Sequence, residues 1–343
     1  MNVDDKGTVV LKDSRTPSLY IPPEFVGMQC NLVAAPTGCI YGATRAWDNR
    51  AGTTVPGNIK SIAPSSGTYA WDGLDALFLN NPAKKIHITL GCPPDWMVTR
   101  AAVGGATAYG GKSNMVPDDL EAFCEAVKQI ILRGNAVGRS GFVWCLWNEI
   151  NGTGFFNDSL ALLGPYTKQV AATIRQYDPT GTILAPNTNI DPKLLATVLE
   201  ISDGGGGKIK DYVDGVSMHT YHLSGTLGNA VRIFYDAVNN FKQVLSDTGM
   251  GDAEIHMNEA GVNSTYFYAA NLHSVRMLLM AAMGVKSYMG YTWDHQTYAI
   301  SSYVSNWNAT AQLISGKNID YAALEQGSKF VIIVDGVRQE ITL

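Results

Sequence analysis

The chain lacks the features that mark several large classes of protein. No run of about 18 or more apolar residues occurs, so no membrane-spanning helix is predicted. Lys and Arg number 25 against 30 Asp and Glu, a formal net charge of −5, so no basic field is available to hold nucleic acid or anionic lipid. The first residues carry charges where a secretory signal would be apolar. A cytoplasmic, a secreted and a phage-associated setting all stay open, as does the oligomeric state.

Sequence motifs for metal and serine chemistry are also missing. The six histidines show neither an H-E-x-x-H pattern nor a Cys/His zinc spacing. No G-x-S-x-G sequence, the mark of many serine hydrolases, is present. The five cysteines are an odd number, which predicts buried free thiols and no disulfide framework. We therefore expect a function that needs no metal and no other cofactor.

What the sequence does contain is a repeated alternation of two patterns. Short apolar, β-rich segments occur at Phe25–Cys30, Gly42–Trp47, Lys85–Gly91, Phe142–Asn148, Ile183–Asn187, Gly215–His219, Glu254–Glu259 and Ser287–Trp293. Apolar residues at helical spacing occur between them, at Pro117–Gly134, Tyr166–Tyr177, Pro192–Ile201, Ala230–Leu245 and Leu272–Met283. This alternation is typical of βα units around a parallel sheet.

Two architectures share this alternation, an open doubly wound sheet and a closed barrel. The open sheet usually has a glycine-rich turn after its first strand, and none is present there. We therefore predict an α/β protein with a (β/α)8 TIM barrel at residues 21–300. An N-terminal arm at 1–20 precedes it, and the last barrel helix and a C-terminal β-hairpin follow at 301–343.

The hairpin is predicted from one dipeptide. Asp335-Gly336 separates the apolar segments Val331–Val334 and Val337–Ile341, and Asp-Gly between two such segments is a strong signal for a two-residue turn. The segment Thr8–Lys12 is proposed as a partner strand of this hairpin.

Two of the eight segments end abruptly in an amide followed by a carboxylate. Asn148-Glu149 closes the fourth segment and Asn258-Glu259 closes the seventh. Reactive groups of such barrels lie at the carboxyl ends of strands. A single carboxylate there is more often a helix cap or a surface charge, but two of them on these strands would face each other across the barrel mouth. Paired carboxylates are what the hydrolysis of glycosidic bonds requires.

These same residues carry a family resemblance. Trp147-Asn148-Glu149 and Asn258-Glu259 resemble the signature of the clan A glycoside hydrolases. Further segments resemble family thirty-nine, which contains β-xylosidases, α-L-iduronidases and bacterial exopolysaccharide hydrolases: Phe25–Met28, Arg45–Asp48, Gly67–Asp75 and Thr89–Trp96. The resemblance covers residues 24 to 296. It implies a retaining glycoside hydrolase acting on carbohydrate, with Glu149 as acid/base and Glu259 as nucleophile.

The resemblance also implies supporting roles for two polar residues. Asn148 resembles the clan's residue that hydrogen-bonds the sugar 2-hydroxyl. Arg45 resembles the arginine on the second strand that stabilises the ionised nucleophile. Because the acid/base must begin protonated, burial beneath Trp147 and neighbouring aromatic side chains predicts a raised pKa for Glu149.

Four further residues are candidates for sugar contact. His219 and Tyr221 resemble clan residues that orient the nucleophile or touch sugar hydroxyls, although a single histidine at a strand end is usually structural. Trp293 resembles the clan's sugar-stacking platform, and Trp96 could extend it. The alternative for both tryptophans is loop anchoring.

Two rival functions fit the same barrel. A lyase or isomerase would use the carboxylates for proton transfer, but it would usually need a metal or a lysine at a strand end. A non-catalytic carbohydrate-binding or virion structural protein would keep the barrel without needing Asn148, Glu149 and Glu259 together. Met257 stands where many relatives have a threonine that supports the nucleophile, and no clear subsite motif follows the third strand. The sugar and its linkage are therefore not predicted.

Overall fold

The computed structural model describes residues 8–29, 38–46, 59–105, 107–222, 227–262, 269–291, 300, 304–325 and 329–342. Within these ranges the strands are β1 (Val9–Lys12), β2 (Leu19–Ile21), β3 (Val26–Gln29), β4 (Ala43–Ala46), β5 (Lys85–Thr89), β6 (Val143–Cys145), β7 (Thr182–Leu184), β8 (Gly215–His222), β9 (Glu254–Val262), β10 (Tyr288–Tyr291), β11 (Lys317–Glu325), β12 (Lys329–Val334) and β13 (Val337–Thr342). The α-helices are α1 (Ile59–Ile62), α2 (Asp72–Asn80), α3 (Leu120–Ala136), α4 (Leu163–Tyr177), α5 (Pro192–Leu199), α6 (Leu227–Asp247), α7 (Ala269–Ala282) and α8 (Val304–Ile314).

The strands β3 to β10 form a closed parallel barrel. Each pairs with its neighbours along the chain, and β10 pairs with β3 to close the ring. Every one of the eight segments expected to be a strand contributes to this ring, so the prediction of a (β/α)8 barrel is confirmed. The bounds differ from those expected: β6 ends earlier, at Cys145, and β10 covers only Tyr288–Tyr291, whereas β8 and β9 extend further, to His222 and Val262.

The side chains of each strand divide between the helices outside the barrel and the barrel interior. In β5, Ile86 and Ile88 join the hydrophobic core, whereas His87 and Thr89 alternate with them and face inward. The helix α3 begins where Asp119 accepts a hydrogen bond from the backbone N–H of Ala122. The buried interior side chains include many polar ones, in contrast to the branched aliphatic residues that usually fill such barrels.

A separate antiparallel sheet contains strands from both ends of the described chain. Its order is β1-β11-β12-β13, with β2 also paired to β11. Asp335 and Gly336 have φ of 45° and 77° in the turn between β12 and β13, so the C-terminal hairpin is confirmed. The proposed pairing of Thr8–Lys12 with the hairpin is wrong, because β1 pairs with β11 instead. The boundaries at residues 20 and 300 stay predictions.

No disulfide joins the described cysteines; Cys92 and Cys145 are buried, as expected, whereas Cys39 and Cys124 are only partly buried. Cys30 lies outside the described residues. Among the described helices, none has both the length and the apolar character needed to cross a bilayer.

Candidate active site

The carboxyl ends of the barrel strands bring six of the expected site residues into one connected group. Hydrogen bonds or ion pairs link Arg45, Asn148, Glu149, His219, Tyr221 and Glu259. They come from β4, β8, β9 and the segment after β6, so residues distant in sequence meet at the barrel mouth.

A register shift in β9 sets the direction of Glu259. Met218 of β8 pairs with Met257, but His219 pairs with Glu259, so Asn258 is an additional residue in β9. In a regular strand two successive side chains point to opposite faces, whereas a bulge can re-aim one of them. Asn258 is fully buried and Glu259 contacts residues of the mouth. The bulge thus allows both side chains to face the barrel interior.

Glu149 has an unusual backbone conformation. Its φ is 38°, in the left-handed region that few residues other than glycine adopt. Such a conformation costs about 1–3 kcal/mol and is concentrated at functional sites. Glu149 directly follows Asn148 in the chain. The Asn148 side chain contacts Arg45 and the Glu149 side chain contacts His219, so both belong to the connected group at the mouth.

Arg45 connects most of this group through its guanidinium. Nη1 donates to an oxygen of Glu259 and, at 2.7 Å, to Oε1 of Gln29. Nη2 donates to Oδ1 of Asn148 at 2.9 Å, and Nε donates to Oγ1 of Thr89 at 3.0 Å. Burial disfavours the charged form of Arg45, but the charge of Glu259 opposes this effect, and the pKa of the guanidinium lies above its ordinary value. The cation is therefore fixed beside Glu259.

His219 and Tyr221 complete the contacts of the two carboxylates. Nδ1 of His219 lies 2.7 Å from Oε1 of Glu149 and 3.5 Å from Oε2 of Glu259. The Tyr221 hydroxyl donates to Oε2 of Glu259. Burial and the charge of Glu259 raise the pKa of Tyr221 well above its ordinary value, so the phenol remains a donor.

The two carboxylates are close together but differ in exposure. An oxygen of Glu149 and an oxygen of Glu259 lie within 4.8 Å of each other. The Glu149 side chain is 18% exposed and the Glu259 side chain 5%. Glu149 is therefore the more accessible of the two carboxylates to a molecule that enters the mouth.

The expected raised pKa of Glu149 is wrong for this structure. Burial does raise it, but the hydrogen bond and charge of His219, together with the charge of Arg45, outweigh the burial. The pKa of Glu149 consequently lies below its ordinary value. The aromatic surroundings alone predicted the opposite direction, because they do not include the histidine.

Gln29 and Thr89 belong to the site but were not predicted. Each is the last residue of its strand and each is a hydrogen-bond acceptor for Arg45. The signal that could have found them is the one that found Glu149 and Glu259, a polar residue ending an apolar strand.

A buried cation supports the strand ends that carry Tyr221 and Glu259. Arg276 of α7 is fully buried and donates to the carbonyls of Thr220 and Gly261, at 3.0 and 3.3 Å. Within the described part of the chain it has no carboxylate partner in an ion pair. Its guanidinium therefore joins the ends of β8 and β9 through backbone acceptors.

Among the described residues, Trp96 has no hydrogen bond to this connected group. The indole N–H of Trp96 donates to the carbonyl of Ala63 at 2.9 Å, and its ring packs against the core. This contact anchors the loop after β5, and a sugar contact by Trp96 stays a prediction. Trp293 lies outside the described residues.

Three side chains could together hold a metal ion. Glu149, His219 and Glu259 offer ligand atoms within 4.8 Å of one another, the only such group of three or more among the described residues. Arg45 already contacts Glu259, however, and its positive charge opposes a second cation there. The group is better suited to hold protons and a neutral molecule than a divalent ion.

Comparison with known proteins places the fold. No family model matches the sequence, and no curated protein matches it. A monomeric β-xylosidase structure from Caulobacter crescentus CB15 superposes with a TM-score of 0.64 at 14% identity, over 94% of this chain and 76% of that one. A family 39 glycoside hydrolase from the gut symbiont Bacteroides cellulosilyticus WH2 gives 0.58 at 17% identity, over 94% and 71%.

A further structure agrees with these two. A family 39 enzyme from Xanthomonas axonopodis pv. citri gives a TM-score of 0.59 at 14% identity, over 94% of this chain and 72% of that one. At such identities the likeness establishes the fold. The chain has the barrel fold of the family 39 glycoside hydrolases, as the order of its motifs predicted.

Proposed function

We propose that this protein is a retaining glycoside hydrolase that cleaves O-glycosidic bonds of an oligosaccharide or polysaccharide by double displacement. The observation that carries the proposal is the pair Glu149 and Glu259, with oxygens within 4.8 Å at the barrel mouth. Retaining enzymes have carboxyl groups about 5–5.5 Å apart, whereas inverting enzymes need about 6.5–9.5 Å to admit a water. The close spacing supports direct attack by one carboxylate.

The contacts divide the two roles. Glu259 is the nucleophile, because Arg45 and Tyr221 hold it in one orientation with positive charge and a hydroxyl donor beside it. Its attack on the anomeric carbon forms a covalent glycosyl-enzyme while the bond to the leaving oxygen breaks. Glu149, the more exposed carboxyl, donates the proton that this oxygen needs.

The second step uses Glu149 in the opposite direction. As a carboxylate it takes a proton from a water, which attacks the anomeric carbon and releases Glu259. The hydrogen bond with His219 favours the ionised form of Glu149 and therefore suits this step. Asn148, fixed by Arg45, would present its amide N–H group to the sugar 2-hydroxyl.

The direct test is the stereochemistry of the first product. Aryl glycosides, beginning with β-xylosides because one structure of similar fold is a β-xylosidase, would be screened together with bacterial polysaccharides for released reducing ends. Proton NMR of a cleaved substrate is then expected to show the anomer of the substrate's own configuration first. Early appearance of the inverted anomer would exclude double displacement. Specific carbohydrate binding without any cleavage would favour the non-catalytic barrel protein.

Replacement of His219 is expected to change the pH profile in a defined direction. In the free protein His219 lowers the pKa of Glu149, so the protonated acid is lost at a lower pH than an ordinary glutamic acid would lose it. In the variant His219→Gln the charge of His219 is lost, whereas Glu149 stays buried, and burial raises the pKa of Glu149. The alkaline limb of kcat/KM should therefore move to higher pH. Tyr221→Phe, which removes the hydroxyl that contacts Glu259 and leaves His219 beside Glu149, should lower the rate without moving this limb. An unmoved limb in His219→Gln would contradict the assignment of Glu149.

Removal of metal ions is expected to leave activity unchanged. The proposed reaction uses the two carboxylates alone, and Arg45 opposes a cation in the site. Activity before and after dialysis against EDTA, with the metal content measured by mass spectrometry, checks this. Activity lost on chelation and restored by one metal would assign Glu149, His219 and Glu259 to a metal-dependent mechanism instead.

A further inference from the structure

A cavity opens at the amino-terminal end of the barrel, opposite the carboxylate pair. Its volume is about 450 Å³, and its walls come from the beginnings of β5, β6, β7 and β9 and from residues just before β3 and β10. All of these are N-terminal strand ends. The cavity is therefore separated from the mouth by the packed interior of the barrel.

Two histidine rings lie in its walls, and they differ in their contacts. The His87 and His256 rings meet edge to face with centroids 5.6 Å apart. Both ring nitrogens of His256 have hydrogen-bond partners: Ser287 Oγ lies 3.0 Å from Nδ1, and Glu254 lies 3.0 Å from Nε2. His87 is only 3% exposed, and its Nδ1, which is closed off from solvent, has no hydrogen-bond partner among the described residues. The ring of His87 also lines the cavity, so a bound molecule would contact it through the other nitrogen, Nε2.

The charges around the cavity favour one class of ligand. Lys84 and Lys286 are exposed at its rim, and no described residue forms a salt bridge with either. Lys85 contributes a third cation, whose Nζ donates to the carbonyl of Gly141 at 2.5 Å. Of the two lining carboxylates, Glu254 is bound by His256, and Glu24 is the other. Three lysines against two carboxylates give the lining one net positive charge, without counting the histidines.

The state of His87 fits an anion as well. Burial, with the positive charges of His256, Lys85 and Arg45, lowers the pKa of His87 well below its ordinary value. The ring is therefore neutral at neutral pH and presents one N–H donor and one acceptor nitrogen. A donor N–H beside two exposed ammonium groups is an arrangement that a small oxyanion satisfies and a cation does not.

We propose that this cavity binds a small oxyanion, a carboxylate or phosphate group, which accepts a hydrogen bond from His87 between the ammonium groups of Lys84 and Lys286. The site is independent of the glycosidase proposal, since it lies at the other end of the barrel and shares none of the residues at the mouth. Inorganic phosphate and malonate are the two probes, and comparing them distinguishes a phosphate preference from a carboxylate preference.

Calorimetric titration of the whole protein with each probe tests the proposal. Saturable binding is expected, and Lys84→Ala and Lys286→Ala should each weaken it by about fivefold, the upper range for an exposed charge pair. Lys193→Ala removes an exposed lysine of α5 and is the matched control for the change of net charge. No saturable binding of either probe, or equal affinity in the rim variants and the control, would overturn the proposal.

A second measurement locates the bound anion. In protein labelled with ¹⁵N-histidine, phosphate should shift the ring nitrogen signals of His87, identified by their loss in His87→Gln. The variant Glu149→Gln should bind phosphate with unchanged affinity, because the mouth is not involved. Binding that leaves the His87 signals in place, or that is lost in Glu149→Gln, would assign the anion to another site.

Discussion

Glu259→Ala is expected to reduce turnover by about four orders of magnitude or more, because the proposed nucleophile acts with its partners as one unit. With an activated aryl glycoside and azide, the variant should regain activity. Azide would occupy the space of the lost carboxylate and attack the anomeric carbon from that side. The product should be a glycosyl azide of inverted configuration, which NMR identifies directly.

The same variant removes the carboxylate that forms an ion pair with the fully buried Arg45. Breaking a buried ion pair by removing one partner typically costs about 3–5 kcal/mol of stability, so a lower melting temperature is also expected. Glu259→Gln keeps the side chain's shape and should lose activity with less loss of stability. Glu121→Ala, an exposed change on α3, is the control. Nearly full activity of folded Glu259→Gln would remove Glu259 from the mechanism.

The sequence predicted the barrel because its strands follow simple rules. Ile86 and Ile88 alternate with inward residues, and Asp119 supplies a recognisable helix start, so local pattern and fold agree. The strand β11 was missed, because K-N-I-D-Y-A-A-L-E mixes charged and helix-favouring residues without alternation. Its position in the sheet comes from pairing with β12, which follows it in the chain, and with β1 and β2, which are distant in sequence.

The sequence indicated where the candidate site lies, but not in which direction the side chains of Glu149 and Glu259 point. Regular alternation in β9 places His256 and Asn258 inward and would turn Glu259 outward; the expectation that Glu259 faces the mouth came from the family resemblance. The bulge at Asn258 and the positive φ of Glu149 are both local departures that no periodicity indicates. Such departures are concentrated at functional sites, where strain is compensated elsewhere in the structure.

The electrostatics of the site depend on contacts between strands. Glu149 and His219 are 70 positions apart in sequence, and their hydrogen bond reverses the pKa shift that burial alone predicts. The contacts of Gln29 and Thr89 also depend on the arrangement of the strands. Both side chains accept hydrogen bonds from Arg45 because β3, β4 and β5 are neighbours in the ring. Residue types at strand ends indicate candidates, and the register between strands decides which of them meet.

Glu149→Ala is expected to separate the two chemical steps. A substrate with a good leaving group needs no proton to depart, so formation of the glycosyl-enzyme should be largely preserved. Its hydrolysis should be slow, because no base activates the water. A burst of released aryl alcohol followed by a slow steady rate should therefore appear, and substrates with poor leaving groups should lose activity at the first step as well.

Azide again identifies the role, with the opposite stereochemical outcome. In Glu149→Ala it would enter where the general base normally holds water and attack the glycosyl-enzyme on the face opposite Glu259. Two successive inversions then give a glycosyl azide of retained configuration, so the two alanine variants should yield azides of opposite anomeric form. Exchange of the two products between the variants would reverse the assignments of Glu149 and Glu259. A leaving-group dependence identical to that of the unaltered protein would show that Glu149 does not deliver the proton.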